Sequence, residues 1–261
     1  MMRALMLGVT LTLAAGMARA ANFDDLLSGV AQGAAEAYAQ PLADAGTLLA
    51  GAGTFHSARS KGIAGLDAGI KLLMVPVSSG DPAAGSILDQ TEASALGLPV
   101  LVANKGLVKG LQVGARFMSL ELSKDVGQLD LVGASLRFEL NELFHVPLLM
   151  PRIGLQADYT RLAVGESVTT TVTGLDLIVS KSFVILEPYA GLSLLKGSTD
   201  LGYTHRPAVG DPVSVSATLD SDATRLAAGL NFTPFPLLRV NAEYALADYS
   251  TITVGLLFNL F

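Results

Sequence analysis

Cysteine and tryptophan are absent from all 261 residues, and histidine occurs only three times, as His56, His145 and His205. Without thiols the chain can form neither disulfides nor thiolate metal sites, although an oxidising compartment would permit disulfides. The histidines have no ligand-like spacing for a metal, and no cofactor motif is present; Gly51-Ala52-Gly53 lacks the strand and helix that a phosphate loop needs. Basic residues are also short, 17 against 23 acidic, so the net charge of -6 leaves no basic patch for nucleic acid. Long apolar runs are missing too. Half of the residues are hydrophobic (51%), yet after residue 20 charged or polar side chains interrupt every apolar stretch short of the ~18 residues that a spanning helix needs. In lipid only helices and closed barrels satisfy the backbone internally, which leaves the barrel.

Residues 1–20 read as a secretory signal peptide: Arg3, an apolar run over 5–15, then the small-x-small site Ala18-Arg19-Ala20. Cleavage there leaves 15 basic residues against 23 acidic, a net charge of -8. Residues 21–60 form an N-terminal segment of another kind. Over 22–40, Phe23, Leu27, Val30, Ala34 and Tyr38 recur at helical spacing, Asn22 caps the start, and Pro41 ends the run. The segment is either a plug in the barrel or at its periplasmic mouth, or a periplasmic helix that gates nothing.

Residues 61–261 alternate with period two through about ten strands, at 62–75, 99–104, 108–122, 126–140, 151–164, around 177 and 190, then around 230 and 241, and at 250–261. Leu111, Val113 and Ala115, for example, oppose Gln112, Gly114 and Arg116, while Ile153, Leu155 and Ala157 oppose Gln156 and Asp158. The turns expected at 104–107, 181–183 and 233–237 are short, and the connections 76–98, 165–172 and 204–217 longer. Pro188 cannot donate a ladder bond, so its strand is expected to be distorted there. The fold class is thus an all-β, transmembrane, antiparallel up-and-down barrel with an N-terminal amphipathic helix. In this register the lumen is lined by Lys71, Arg116, Arg137, Arg225 and Arg239 against Asp67, Glu139, Asp158, Asp176, Glu187 and Glu243, with Gln112. The near balance of signs argues for interlocked ion pairs filling the lower lumen and against a charge-selective porin. The apolar stretch 83–101 could form a pocket above that layer.

The last strand, with Ile252, Val254, Leu256, Phe258 and Leu260 on one face and Phe261 at its end, resembles the closing strand of bacterial outer-membrane barrels. Their two aromatic girdles would here be Phe138, Phe144, Phe183, Phe232, Phe235, Phe258 and Phe261 at the periplasmic rim, and Phe117, Tyr159, Tyr203, Tyr244 and Tyr249 at the outer one. That resemblance implies a Gram-negative outer-membrane location, contact with outer-membrane lipid and lipopolysaccharide, and reading of Phe261 by the barrel-assembly machinery. Short motifs narrow it: Asp24-Asp25-Leu26-Leu27, Tyr38-Ala39-Gln40-Pro41-Leu42, Gly62-Ile63-Ala64-Gly65-Leu66-Asp67, Val75-Pro76, Leu98-Pro99, Gly114-Ala115-Arg116-Phe117, Leu148-Leu149-Met150-Pro151 and Asp158-Tyr159-Thr160. Together they resemble a family of secreted outer-membrane barrels known mainly as a domain of unknown function. Members of that family carry a Gly-Trp pair after the helix; here Gly53-Thr54-Phe55-His56 stands instead, with Phe55 as the aromatic anchor.

The N-terminal helix is also comparable to the hatch of the long-chain fatty-acid transporters, which implies passive transport or a channel for a small or apolar solute. The alternative is a structural barrel with a filled lumen. An outer-membrane hydrolase would rest on His205 and Asp211, but no nucleophile with a neighbouring base accompanies them, so the chain is read as no enzyme.

Overall fold

The computed structural model describes residues 32–76, 95–108, 110–123, 127–144, 150–165, 167–205, 211 and 213–260. Ten antiparallel strands close into an up-and-down barrel: β1 (Leu66–Pro76), β2 (Ala95–Gly106), β3 (Leu111–Ser123), β4 (Gly127–Glu139), β5 (Arg152–Val164), β6 (Val168–Ser180), β7 (Leu186–His205), β8 (Val213–Phe235), β9 (Leu238–Leu246) and β10 (Thr251–Asn259). Each pairs with its sequence neighbours. β1 also meets β10, with Asp67 opposite Asn259 and Met74 opposite Ile252, so the sheet has no free first or last strand.

The two-residue period sorts the side chains. On β5, Ile153, Leu155, Ala157 and Tyr159 are exposed, while Gly154, Gln156, Asp158 and Thr160 are buried inside. On β10, Thr251, Thr253 and Gly255 are buried and Val254 and Phe258 exposed. The outward Leu and Val residues form an apolar belt that ends at Leu194 on β7 and Leu226 on β8; beyond it the exposed residues are mostly polar and include Lys196, Asp200, Asp220 and Asp222. β8 pairs with β9 only from Leu226 onward, so above the belt the β8 edge of the β7–β8 hairpin is unpaired, while β7 stays paired with β6 as far as Leu201. The end carrying this hairpin is called the outer end; β1 starts and β10 finishes at the opposite, inner end.

Leu192 lies within the belt, exposed, and Ser193 beside it is fully buried. Leu192→Arg is expected to cost about 2–4 kcal/mol of folded barrel near the bilayer midplane. Urea titration in lipid vesicles, reading the heat-modifiable band, checks it; an unchanged midpoint would mean that β7 is out of register by one residue.

Several boundaries differ from those expected. β2 starts at Ala95, earlier than expected, because apolar residues occupy both of its faces and mask the period. Residues 95–101 therefore belong to the wall; 83–94, the rest of the stretch expected to form a pocket, lie outside the described residues. The chain turns at 107–110, after Gly106 and later than Asn104-Lys105-Gly106 suggested, and residues 165–167 make a tight hairpin where a long connection was expected. Pro188 causes no register shift. It lies one residue beyond the last β6–β7 pair, Ser180 with Tyr189, so its missing N–H costs no bond to β6. Among the girdle residues, Phe117, Tyr159, Tyr244, Phe183, Phe232, Phe235 and Phe258 are exposed, whereas Tyr203 and Tyr249 face inward and are buried.

The largest difference is the helix. α1 runs Gln32–Gly51 and contains Pro41, which was expected to end it. An internal Pro forfeits one helical hydrogen bond and costs about 3 kcal/mol. Packing inside the barrel offsets this: Leu48 and Leu49 are buried among Leu73, Leu98, Leu129, Leu131 and Leu195, each worth about 1.5–3 kcal/mol. Tyr38 packs at the edge of the same cluster. Ala34 lies in α1, and Phe23, Leu27 and Val30 lie outside the described residues. A second, short helix, α2 (Asn141–Phe144), sits in the inner connection between β4 and β5.

Candidate functional site: the plugged lumen

The N-terminal segment descends through the barrel. Gln40 donates to the Asp220 carbonyl on the outer half of β8 (3.0 Å), Gly46 faces Thr170, Thr47 faces Gly197, and Gly51 lies against Leu195. Below α1 the chain runs past Gly191 and Ser180 to Glu139 and reaches Leu66 at the inner end. Helix and strand meet through small residues: a Cβ on Gly191 would come within 2.4 Å of the Phe55 ring, and one on Gly197 would collide with Thr47.

A helix leaves its last carbonyls without partners and gathers partial negative charge there. Barrel cations meet that end. Arg116 donates to the carbonyls of Ala50 (2.9 Å) and Ala52 (2.7 Å), and Lys71 to those of Gly53 (2.6 Å) and Phe55 (2.7 Å). Arg137 donates to the carbonyls of Thr54 (3.2 Å) and Ser57 (2.6 Å), and Asn231 to that of His56. The Gly51 carbonyl takes the Thr54 hydroxyl at 3.4 Å. Every carbonyl from Ala50 to Ser57 therefore has a donor, and seven of the eight hydrogen bonds come from four wall residues. Phe55 is fully buried, with the Arg225 guanidinium 4.7 Å over its ring, a cation–π stack. His56 is buried against Arg137 and Gln112.

The lumen residues read from the sequence face the interior, but they do not interlock as expected. The cations go mainly to plug carbonyls, and the carboxylates go largely to neutral donors. Asp176 accepts from Ser193 and from Gln156 (2.9 Å), Glu187 from Ser57 (2.5 Å) and Ser180 (2.9 Å), and Glu243 from Tyr189 (2.9 Å). Glu139 binds the Ser60 N–H (2.8 Å) and Arg152 (2.7 Å). Asp67 takes Asn104 (2.8 Å) and Lys61 (2.7 Å), with Arg239 at 3.6 Å, and Arg225 lies 3.6 Å from Glu243. The reason is geometric: the plug sits between the charged strands and offers closer acceptors than the opposite wall. Both Asp158 oxygens are buried with no hydrogen-bond partner. Such groups are satisfied by internal water in a polar site.

The lumen is thus layered. Above Lys71 the inward residues of β1, β2 and β4 are apolar, from Leu73 and Val75 through Leu98, Val100 and Leu131, with Thr170, Thr199, Thr251 and Thr253 facing in from other strands, and α1 fills this part; below, a polar layer grips an extended backbone. Sequence reasoning missed residues 50–58 as the site's centre; the substituted motif around Phe55 was its one signal. His205 ends β7, and its side chain lies outside the described residues; Asp211 is exposed.

Residues 82–260 match the model of a family of unknown function, DUF6588, and the chain belongs to that family. The motifs at 24–27, 38–42, 62–67 and 75–76 fall before the matched region. No curated protein matches the sequence. Solved structures that it resembles include the outer-membrane protease OmpT from Escherichia coli, 12% identical over 76% of this chain and 97% of that one, with a TM-score of 0.45. The N-terminal β-barrel domain of Pseudomonas aeruginosa OprF is 13% identical over 74% and 97%, with a TM-score of 0.32. Neisserial surface protein A is 12% identical over 75% and 97%, with a TM-score of 0.29. Likeness at this level carries nothing about activity, substrate or partner. The architecture itself is a closed, ten-stranded, antiparallel up-and-down β-barrel.

Proposed function

We propose that the protein is an outer-membrane barrel with a filled lumen, sealed at rest by its own N-terminal segment. The observation that carries this reading is the unbroken run of carbonyls from Ala50 to Ser57, each held by a hydrogen bond. A backbone held by β1, β3, β4 and β8 obstructs the path a hydrated ion would take. The chain is exported by residues 1–20, recognised by the assembly machinery through Phe261, and inserted with the β7–β8 hairpin facing outward, as long loops do in this class. The polar hairpin is then its outward display. The reading assigns the chain no enzymatic activity.

A second reading is favoured by the apolar upper lumen. Barrel interiors are commonly polar, and an interior lined by Leu73, Leu98 and Leu131 would pass a small or apolar solute once α1 moved. Passive transport would then require displacement of the plug.

In planar bilayers the intact protein is expected to show no channel steps; steady conductance with the plug still docked contradicts the sealed reading. Orientation is checked separately in the cysteine-free chain. Ser214→Cys should label with an impermeant maleimide on intact cells, and Ser182→Cys only after outer-membrane disruption; the opposite pattern inverts the barrel.

A further inference from the structure

We propose that the inner mouth of the barrel binds an anionic phospholipid of the periplasmic leaflet. The position, though not the chemistry, rests on the orientation above. The plug emerges there between the β6–β7 turn (181–185) and the β8–β9 turn (236–237), beside a cavity of about 520 Å³, within the size range of small-molecule sites. Arg59, Lys61 and Arg239 line it, with Glu187 as the one acidic residue.

These charges are not equally available. Lys61 is held by Asp67 (2.7 Å) and Asn259 (3.0 Å), and one Glu187 oxygen takes Ser57 and Ser180. Arg239 stands 3.6 Å from Asp67, and its Nε and Nη1 are buried without a hydrogen-bond partner. Arg59 is exposed, and its guanidinium has no partner among the described residues. The Arg59 guanidinium is therefore open to the cavity, with the geometry that suits phosphate oxygens, while Arg239, shut in against Asp67, adds positive charge behind it. A neighbouring mouth cavity of about 410 Å³ shares Arg59, but there Arg152 is engaged by Glu139 and Glu142 adds negative charge.

The rest of the first cavity's wall is apolar. Val184, Ile185 and Leu237 line it and are 105%, 47% and 66% exposed, an apolar rim at the lower edge of the belt. A free anion would leave that rim in water, and an uncharged amphiphile would leave the Arg59 guanidinium without a counter-charge. An amphiphile with an anionic phosphate head and acyl tails meets both needs: phosphate against Arg59, with Arg239 behind it, tails over the turns and into the leaflet.

The test uses the full barrel with its plug, in detergent micelles, and follows the thermal midpoint of the heat-modifiable band. Phosphatidylglycerol should raise the midpoint saturably. Arg59→Gln should weaken the apparent affinity about tenfold, the loss of one charge-assisted hydrogen bond. Val184→Asp, at an exposed turn, should weaken it as well. Phosphatidylcholine acting equally would overturn the proposal, because the head charge would not be read. Inorganic phosphate reproducing the full effect would make this a free-anion site instead. No response to phosphatidylglycerol, or unchanged affinity in both variants, would also overturn it. Failure of the sealed reading would appear as conductance in the bilayer measurement and leave these outcomes untouched.

Discussion

A variant lacking residues 32–61 is expected to insert as a heat-modifiable barrel and to form single-channel steps where the intact protein forms none. The wall is closed by pairs from β1–β10 through β9–β8, none of which involves the deleted segment, and barrels satisfy their backbone strand to strand. Deletion removes α1 from the upper lumen and the gripped carbonyls from the lower one. The exposed lining would carry Lys71, Arg116, Arg137, Arg225 and Arg239 against Asp67, Glu139, Asp158, Asp176, Glu187 and Glu243, so the open pore should discriminate only weakly between cations and anions. The upper apolar ring, wetted by deletion, should also lower the unfolding midpoint. Planar-bilayer recordings check the first part and reversal potentials in a salt gradient the second. Insertion without conductance would show that the lumen is sealed by something other than this segment.

Arg137→Met is expected to produce the largest loss of stability from a single lumen substitution, about 3–5 kcal/mol. Its guanidinium reaches the carbonyls of Thr54 and Ser57 and the Gln156 amide oxygen, with His56 alongside, and it is almost fully buried. Methionine replaces the length of the side chain but none of its donors, so buried carbonyls lose their partners at about 1–3 kcal/mol each. Glu121→Gln, at an exposed position on β3, should change the urea midpoint little. Equal small effects for the two variants would mean that the Arg137 bonds do not hold the plug.

Much of the barrel was legible because a strand with water, plug or polar atoms on one side and lipid on the other must alternate, and β5 and β10 do so, as does β3 from Leu111 to Met118. β2 was harder. Leu96, Leu98, Val100 and Val102 face α1 while Leu101 faces outward, so both faces are apolar and the period carries no contrast. Pro41 misled for a different reason: helix propensity is local, whereas the packing of Leu48 and Leu49 that keeps α1 intact comes from strands far along the chain. The grip on residues 50–57 left almost no trace in the sequence, since it reads backbone carbonyls that every residue possesses. Its cations were visible as lumen charges, but their partners were assigned to carboxylates because a balanced charge count suggests ion pairs.

α1 sits inside the barrel against β6, and a designed disulfide probes that placement. A Cβ on Gly46 would lie 3.9 Å from the Thr170 Cβ, inside the separation of about 3.5–4.5 Å that disulfides require. In the cysteine-free background, Gly46→Cys/Thr170→Cys should oxidise nearly completely to an intramolecular cross-link in intact cells, seen as a reductant-sensitive gel shift of the folded barrel. Gly46→Cys/Ser182→Cys, which pairs the helix with the inner turn, should not. Absence of the first cross-link in folded protein, or equal cross-linking of both pairs, would contradict a plug docked in the lumen.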